Sequence, residues 1–264
     1  KLPYSHHDWL AVVLFPGISE SEFMKGIVTL HSEVDCVWKD IFDRIPWVKE
    51  ENETDLLKIS GHISATGAFD DQLLMDVVEE IRDKLEVKKG ERVMELGCGP
   101  GTILNLFKEQ EIFGIDYSEK MINFAAKNVK GEFYVGEISD LYPFEDESLD
   151  VIISHSCIQY VPNVKYLETV IDECSRCLKK GGRLSFTDVS NKNLEKDYIK
   201  YRIDTLGKDV FEEKYSKLKH FLISPEEMKK LLEKKFTNVT VTVAPRRGDE
   251  NMNYRFNIYS FKKV

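Results

Sequence analysis

Glu95-Leu96-Gly97-Cys98-Gly99-Pro100-Gly101-Thr102 is the stretch on which the fold of this chain turns. Glycines at alternate positions let a backbone turn tightly and approach another group closely, because a Cβ there would collide with it. The apolar residues just before them predict a strand over residues 92–96. A helix is expected over residues 100–109, with its N-terminal N–H groups facing a ligand. In the dinucleotide motif such groups bind pyrophosphate. Here the spacing is Gly-x-Gly-x-Gly, and the third glycine of Gly-x-Gly-x-x-Gly is absent. That disfavours a dinucleotide.

Outward from this stretch, strands are expected over residues 112–116, 132–137, 149–154 and 183–189. They alternate with helices over 70–85, 118–129 and 163–178. Such alternation predicts a parallel sheet with helices on both faces. The unbroken apolar run Val151-Ile152-Ile153 fits a central strand buried on both sides. Toward the C-terminus, helices are expected over 193–206 and 209–221, then a capped helix from Ser224-Pro225-Glu226-Glu227. Two last strands, 239–243 and 254–261, flank the polar loop 246–253. Near the N-terminus, Phe23, Ile27, Leu30, Val34, Val37, Trp38 and Ile41 recur at helical spacing until Pro46. The expected division is a helical cap over 1–60 and an α/β domain over 61–264. Residues 193–221 of that domain are a helical insertion that contributes to the cap.

Asp116 ends the second strand, 19 residues after Gly97 (116 − 97). A carboxylate there can accept hydrogen bonds from both hydroxyls of a ribose. Glu137 ends the third strand, where it can accept a bond from an exocyclic amine such as that of adenine. The N–H of Ile138 would then face an adenine ring nitrogen. A plain surface acid is the alternative for Glu137.

In this order the residues resemble the class I S-adenosylmethionine (SAM)-dependent methyltransferases. The likeness covers residues 60–262. It runs through Phe113-Gly114-Ile115-Asp116-Tyr117-Ser118, Gly136-Glu137-Ile138, residues 141–152 and Leu178-Lys179-Lys180-Gly181-Gly182-Arg183-Leu184. It implies an α/β, doubly wound, mostly parallel seven-stranded sheet with an antiparallel last strand. It also implies SAM as methyl donor, S-adenosylhomocysteine as product, and no metal. By this likeness Glu95, Gly97, Cys98, Gly99 and Gly101 shape the methionine and ribose pocket. Asp116 binds the ribose, while Tyr117 and Met121 pack near the adenine. Ile63-Ser64, within Gly61-His62-Ile63-Ser64-Ala65-Thr66-Gly67, looks like the segment that closes over SAM in phosphoethanolamine methyltransferases. Ser64 would there contact the methionine carboxylate.

Methyl transfer from a sulfonium needs an in-line nucleophile, and an amine or hydroxyl acceptor can also need a proton removed. SAM is already activated, so the chemistry calls for no covalent intermediate. The acceptor-side candidates lie just past the fourth strand, in Ser154-His155-Ser156-Cys157-Ile158-Gln159-Tyr160. In doubly wound sheets ligands bind at that edge. His155 is a candidate general base, and its backbone a candidate SAM contact. Tyr160 is a candidate for orienting the acceptor, and Asp188 for binding an ammonium group or accepting a proton. Phosphoethanolamine methyltransferases carry His where this chain has Tyr160, which separates it from their substrate arrangement. His6 and His7 are further candidates to reach the site from the N-terminal cap.

A net charge of −9 argues against nucleic acid and anionic membrane surfaces as partners. The apolar run over 9–15 is too short to span a bilayer, and no signal peptide is read before it. Five cysteines form no disulfide framework, so a reducing, cytoplasmic setting is expected. Cys174-x-x-Cys177 lacks a second ligand pair and reads as two helix residues. The leading expectation is a small-molecule N- or O-methyltransferase, monomeric or homodimeric. A protein or RNA methyltransferase, a SAM-binding scaffold and a nicotinamide reductase are the competing readings. Ser154-His155-Ser156-Cys157 stands where nucleobase or glutamine methylation would call for an Asn-Pro-Pro-Tyr type of motif.

Overall fold

In the computed structural model, which describes residues 71–214, 220–243 and 253–263, the glycine stretch leaves the end of strand β1 (Arg92–Leu96). Six more strands follow: β2 (Glu111–Asp116), β3 (Glu132–Val135), β4 (Leu149–His155), β5 (Leu178–Ser190), β6 (Phe236–Val243) and β7 (Arg255–Lys262). They form one sheet in the order β3-β2-β1-β4-β5-β7-β6. All pairings from β3 to β5 are parallel, and β7 runs antiparallel to both β5 and β6. This is the seven-stranded sheet with an antiparallel last strand that the resemblance implies. Sequence reversal occurs between β1 and β4, so their carboxyl ends lie side by side at the switch point where such sheets bind ligands.

Helix α1 (Asp71–Leu85) buries Leu74, Val77, Val78, Ile81 and Leu85 and packs on β5 and β7. Helix α2 (Glu119–Asn128) starts at Ser118, whose side chain accepts the Met121 N–H, and packs on β2 and β3. Helix α3 (Val164–Cys177) is capped by Asn163 and buries Leu167, Val170, Ile171, Cys174 and Cys177. Cys174 and Cys177 are core residues, and burial raises both thiols, Cys177 to about 11. Met94 and Leu96 of β1 join α3 in the main apolar cluster. Val93 and Glu95 alternate with them and face the other side of the sheet. The helix over Pro225–Leu232 (α6) has the expected capping box between Ser224 and Glu227.

The helix expected over 100–109 does not form. Only nine residues separate Gly101 from the start of β2 (111 − 101 − 1), too few for a helix and its return. The chain instead makes turns and one 3-10 turn, Leu104–Leu106, which still buries Ile103, Leu104 and Phe107. β3 stops at Val135, so Glu137 lies two residues past the strand. β5 begins at Leu178, five residues before the expected start, because Leu178 pairs with Leu149 and the Gly181-Gly182 pair stays within the strand.

The chain divides into two compact units, residues 71–195 with 220–264 and residues 1–70 with 196–219. The sheet belongs to the first. The described part of the second is helical: nearly all of α4 (Glu195–Leu206), and α5 (Lys208–Lys214). Gly207 joins them at φ 87, a conformation that favours glycine. The second expected helix, 209–221, is thus shorter, and His220 onward is not helical. The N-terminal cap, His6, His7, Ile63 and Ser64 lie outside the described residues. Among the described residues no helix is long and apolar enough to cross a membrane.

Candidate functional site

Gly97, Gly99 and Gly101 all take positive φ (67, 51 and 82), so each needs the freedom of glycine. Their surroundings differ. A Cβ on Gly97 would lie 2.3 Å from Cys157 Sγ, so the close approach there is to the chain's own β4 loop. A Cβ on Gly101 would meet Val129 at 3.1 Å, whereas one on Gly99 would have nothing within 4 Å. Of the three, Gly99 is the one whose backbone opens outward.

Asp116 is buried at the end of β2. Its Oδ2 accepts the Gly99 N–H at 2.9 Å and its Oδ1 accepts the Ser118 N–H at 2.8 Å. A carboxylate offers about four acceptor positions, the chemistry that a ribose diol calls for. Glu95 is 2% exposed, and its Oε2 has no protein partner. Burial, with the negative charge of Asp116 beside it, pushes the Glu95 carboxyl well above the usual carboxylate range. Two buried acids at one loop are complementary to a cation. The positively charged methionine portion of SAM supplies one, so these residues fit the donor that the sequence likeness implies.

Cys98 turns its thiol against Gly114, where a Cβ would come within 2.6 Å, so only its backbone remains for a ligand. Tyr117 and Met121 stand at the start of α2, Met121 buried. Glu137 is exposed and accepts the Tyr166 hydroxyl at 2.8 Å, while Ile138 is buried. Asp150, part of a motif read only by likeness, is structural: it accepts the Arg92 N–H at 3.0 Å and Lys179 Nζ at 2.7 Å, tying β1 to β5.

The acceptor-side candidates gather at the carboxyl ends of β4 and β5. His155 Nδ1 lies 2.9 Å from Thr187 Oγ1, and that hydroxyl donates to the Ser154 carbonyl at 3.3 Å. The Nδ1 side of the ring is thus held by a hydroxyl that is itself tied to the β4 backbone. Burial lowers the His155 pKa; Asp188 opposes this and Arg255 adds to it. The ring is therefore neutral at pH 7. Burial pushes the Tyr160 hydroxyl up to about 12, so it remains a donor.

Three neighbours of these candidates were not singled out from the sequence, two of them, His220 and Arg255, because they come from distant parts of the chain. His220 stacks edge-on to Tyr160 with ring centroids 5.4 Å apart. Arg255 Nε lies 3.9 Å from Asp188 Oδ1, with both side chains about a tenth exposed, and its Nη1 donates to Ser190 Oγ at 2.7 Å. Cys157 packs on Gly97, and burial and Asp116 raise its thiol to about 12. No single-sequence signal marks His220 or Arg255. The adjacency of Cys157 to His155 marks Cys157 only weakly.

Residues 94–186 match the family profile described as a methyltransferase domain. A demethylmenaquinone methyltransferase of Thermotoga maritima is 36% identical over 111 residues, which cover 40% of this chain and 47% of that protein. An arsenite methyltransferase of Halobacterium salinarum is 34% identical over 111 residues, 38% of this chain and 27% of that protein. The chain thus spans half or less of the length of these two relatives. Among solved structures, a SAM-dependent methyltransferase of Thermotoga maritima, described as a possible histamine N-methyltransferase, superimposes with a TM-score of 0.54 at 23% identity. The match covers 72% of this chain and 89% of that one, and shows a common fold.

Proposed function

Since the described α/β body is a class I SAM-dependent methyltransferase domain, we propose that the chain transfers a methyl group from SAM to a nitrogen or oxygen atom of a small molecule. SAM supplies the activated methyl. Glu95 and Asp116 hold its cationic and ribose portions beside the glycine loop. The observation that carries the acceptor half is the placing of His155: a buried imidazole of lowered pKa, anchored through Nδ1 to Thr187 at the end of β4. Such a group takes a proton from an attacking amine or hydroxyl. Tyr160 orients the acceptor through a hydroxyl that stays protonated. Asp188 meets an ammonium or hydroxyl on the acceptor.

Residues 1–60 together with 193–221 are proposed as a cap that excludes water from the acceptor. Support comes from their aromatic content, with Trp9, Phe15, Phe23, Trp38 and Trp47 in one and Tyr198, Tyr201 and Phe211 in the other. The deciding experiment is a screen of methyl transfer from labelled SAM to small amines, phenols and acids, with RNA and a protein mixture as further arms. Label on a small amine or hydroxyl compound that depends on His155 supports the reading. Label only on RNA or protein overturns it.

A further inference from the structure

Between Phe186 and Val189 the pairing of β5 with β7 slips by one residue: Phe186 faces Ile258, but Val189 faces Phe256. Thr187 and Asp188 therefore share one residue opposite, Asn257, which is the two-against-one count of a β-bulge. Asp188 sits at φ 56, a left-handed conformation uncommon outside glycine. Its N–H, displaced from the ladder, donates to Asn257 Oδ1 at 2.9 Å. Asn257 is 2% exposed. Its Nδ2 donates in the other direction to Glu80 Oε2 of α1 at 3.3 Å, and Glu80 Oε1 accepts Thr242 Oγ1 of β6 at 2.7 Å. Both ends of the amide are engaged, so Asn257 cannot turn without losing two bonds. In an unbroken strand Thr187 and Asp188 would face opposite sides of the sheet. Here Thr187 meets the His155 ring, while the Asp188 charge acts on both His155 and Tyr160.

We propose that Asn257 is a positioning residue which, by holding the Asp188 amide in the bulge, keeps the Asp188 carboxylate turned to the acceptor end of β4. This rests on the reading of Asp188 as an acceptor-facing group. The test needs no acceptor. Histidine-labelled full-length chain is titrated by NMR, with the His155 signal assigned by its absence in His155→Asn, and S-adenosylhomocysteine affinity is measured alongside. Asn257→Ser puts a hydroxyl in place of the carboxamide, one atom too short to reach the Asp188 amide. It should lower the His155 midpoint by roughly half a pH unit or more, in the direction of Asp188→Asn, as loss of a nearby anion does. S-adenosylhomocysteine affinity should stay within about twofold, and the shift should vanish when Asp188 is already Asn, as for two changes acting through one group. Glu80→Ala, at a half-buried site, serves as a second variant should Asn257→Ser not fold. A direct effect of its charge would persist in the Asp188→Asn background, whereas an effect relayed through Asp188 disappears. An unmoved midpoint in folded Asn257→Ser, or a shift undiminished in that background, overturns the proposal alone. A midpoint that Asp188→Asn itself leaves unmoved overturns the reading of Asp188 as well.

Discussion

Asp116 at the end of β2 holds the Gly99 amide of the neighbouring β1 loop at 2.9 Å, and with its other oxygen holds the amide of Ser118, which caps α2. One carboxylate thus shapes the loop and the helix start on either side of the donor site.

Asp116→Ala should therefore weaken S-adenosylhomocysteine binding by about tenfold or more, since a hydrogen bond to a charged group contributes roughly 1.5–3 kcal/mol. Calorimetry reads this directly. Unchanged affinity would remove Asp116 from the site.

Glu95 gives a pH signature. Its carboxyl titrates well above the usual range because it is buried beside Asp116, and a bound cation pulls that value back down. Binding of SAM should then release a proton, and affinity should rise with pH until Glu95 is ionised without ligand. Calorimetry in buffers of different ionisation enthalpy measures the release. Glu95→Gln should abolish it and weaken SAM binding. The same variant should raise the ligand-free melting temperature at neutral and higher pH, because a raised carboxyl pKa makes folding less favourable as pH rises through it.

His155→Ala and Tyr160→Phe should each cut turnover about 100-fold or more if they handle the acceptor, while S-adenosylhomocysteine affinity stays nearly constant. The acid limb of kcat/KM should fall below about pH 6.5, the ordinary histidine value, because burial lowers the His155 pKa. Full turnover in both variants would move the acceptor chemistry elsewhere.

Gly97→Ala should destabilise the fold by about 2–4 kcal/mol, from overpacking and a left-handed alanine together. Urea unfolding checks it. Cys157→Ala in the same chain should recover part of the loss by removing the sulfur 2.3 Å from the new Cβ. No recovery would mean that the φ of 67 dominates.

Deleting residues 1–55 should preserve S-adenosylhomocysteine binding and abolish turnover if those residues enclose the acceptor. Full turnover by the shortened chain would sink the cap.

Periodicity carried the sheet because burial on both faces writes apolar runs such as Val151-Ile152-Ile153 directly into the chain. The missing helix after Gly101 shows the limit: Ile103, Leu104 and Phe107 have helical spacing, yet the distance to β2 leaves room only for turns. The proposed donor residues stood out because Glu95 and Asp116 lie at or next to strand ends, just where backbone geometry demands glycines nearby. The surroundings of the proposed acceptor residues were only half legible. His155, Tyr160 and Asp188 lie at or near strand ends, but Arg255, His220 and Asn257 reach them through tertiary pairing. Glu137 was misjudged by two residues of strand, and its carboxylate is engaged by Tyr166.

The placing of the two chemical halves on different strand ends has a consequence for engineering. Glu95 and Asp116 belong to β1 and β2, whereas His155, Tyr160 and Asp188 lie in or just past β4 and β5, and β1 pairs with β4 between them. Under the roles proposed for these residues, libraries confined to the carboxyl ends of β4 and β5 would retune which molecule is modified and leave donor recognition in place. Cys157, packed on Gly97 across that seam, is the position such libraries should leave untouched.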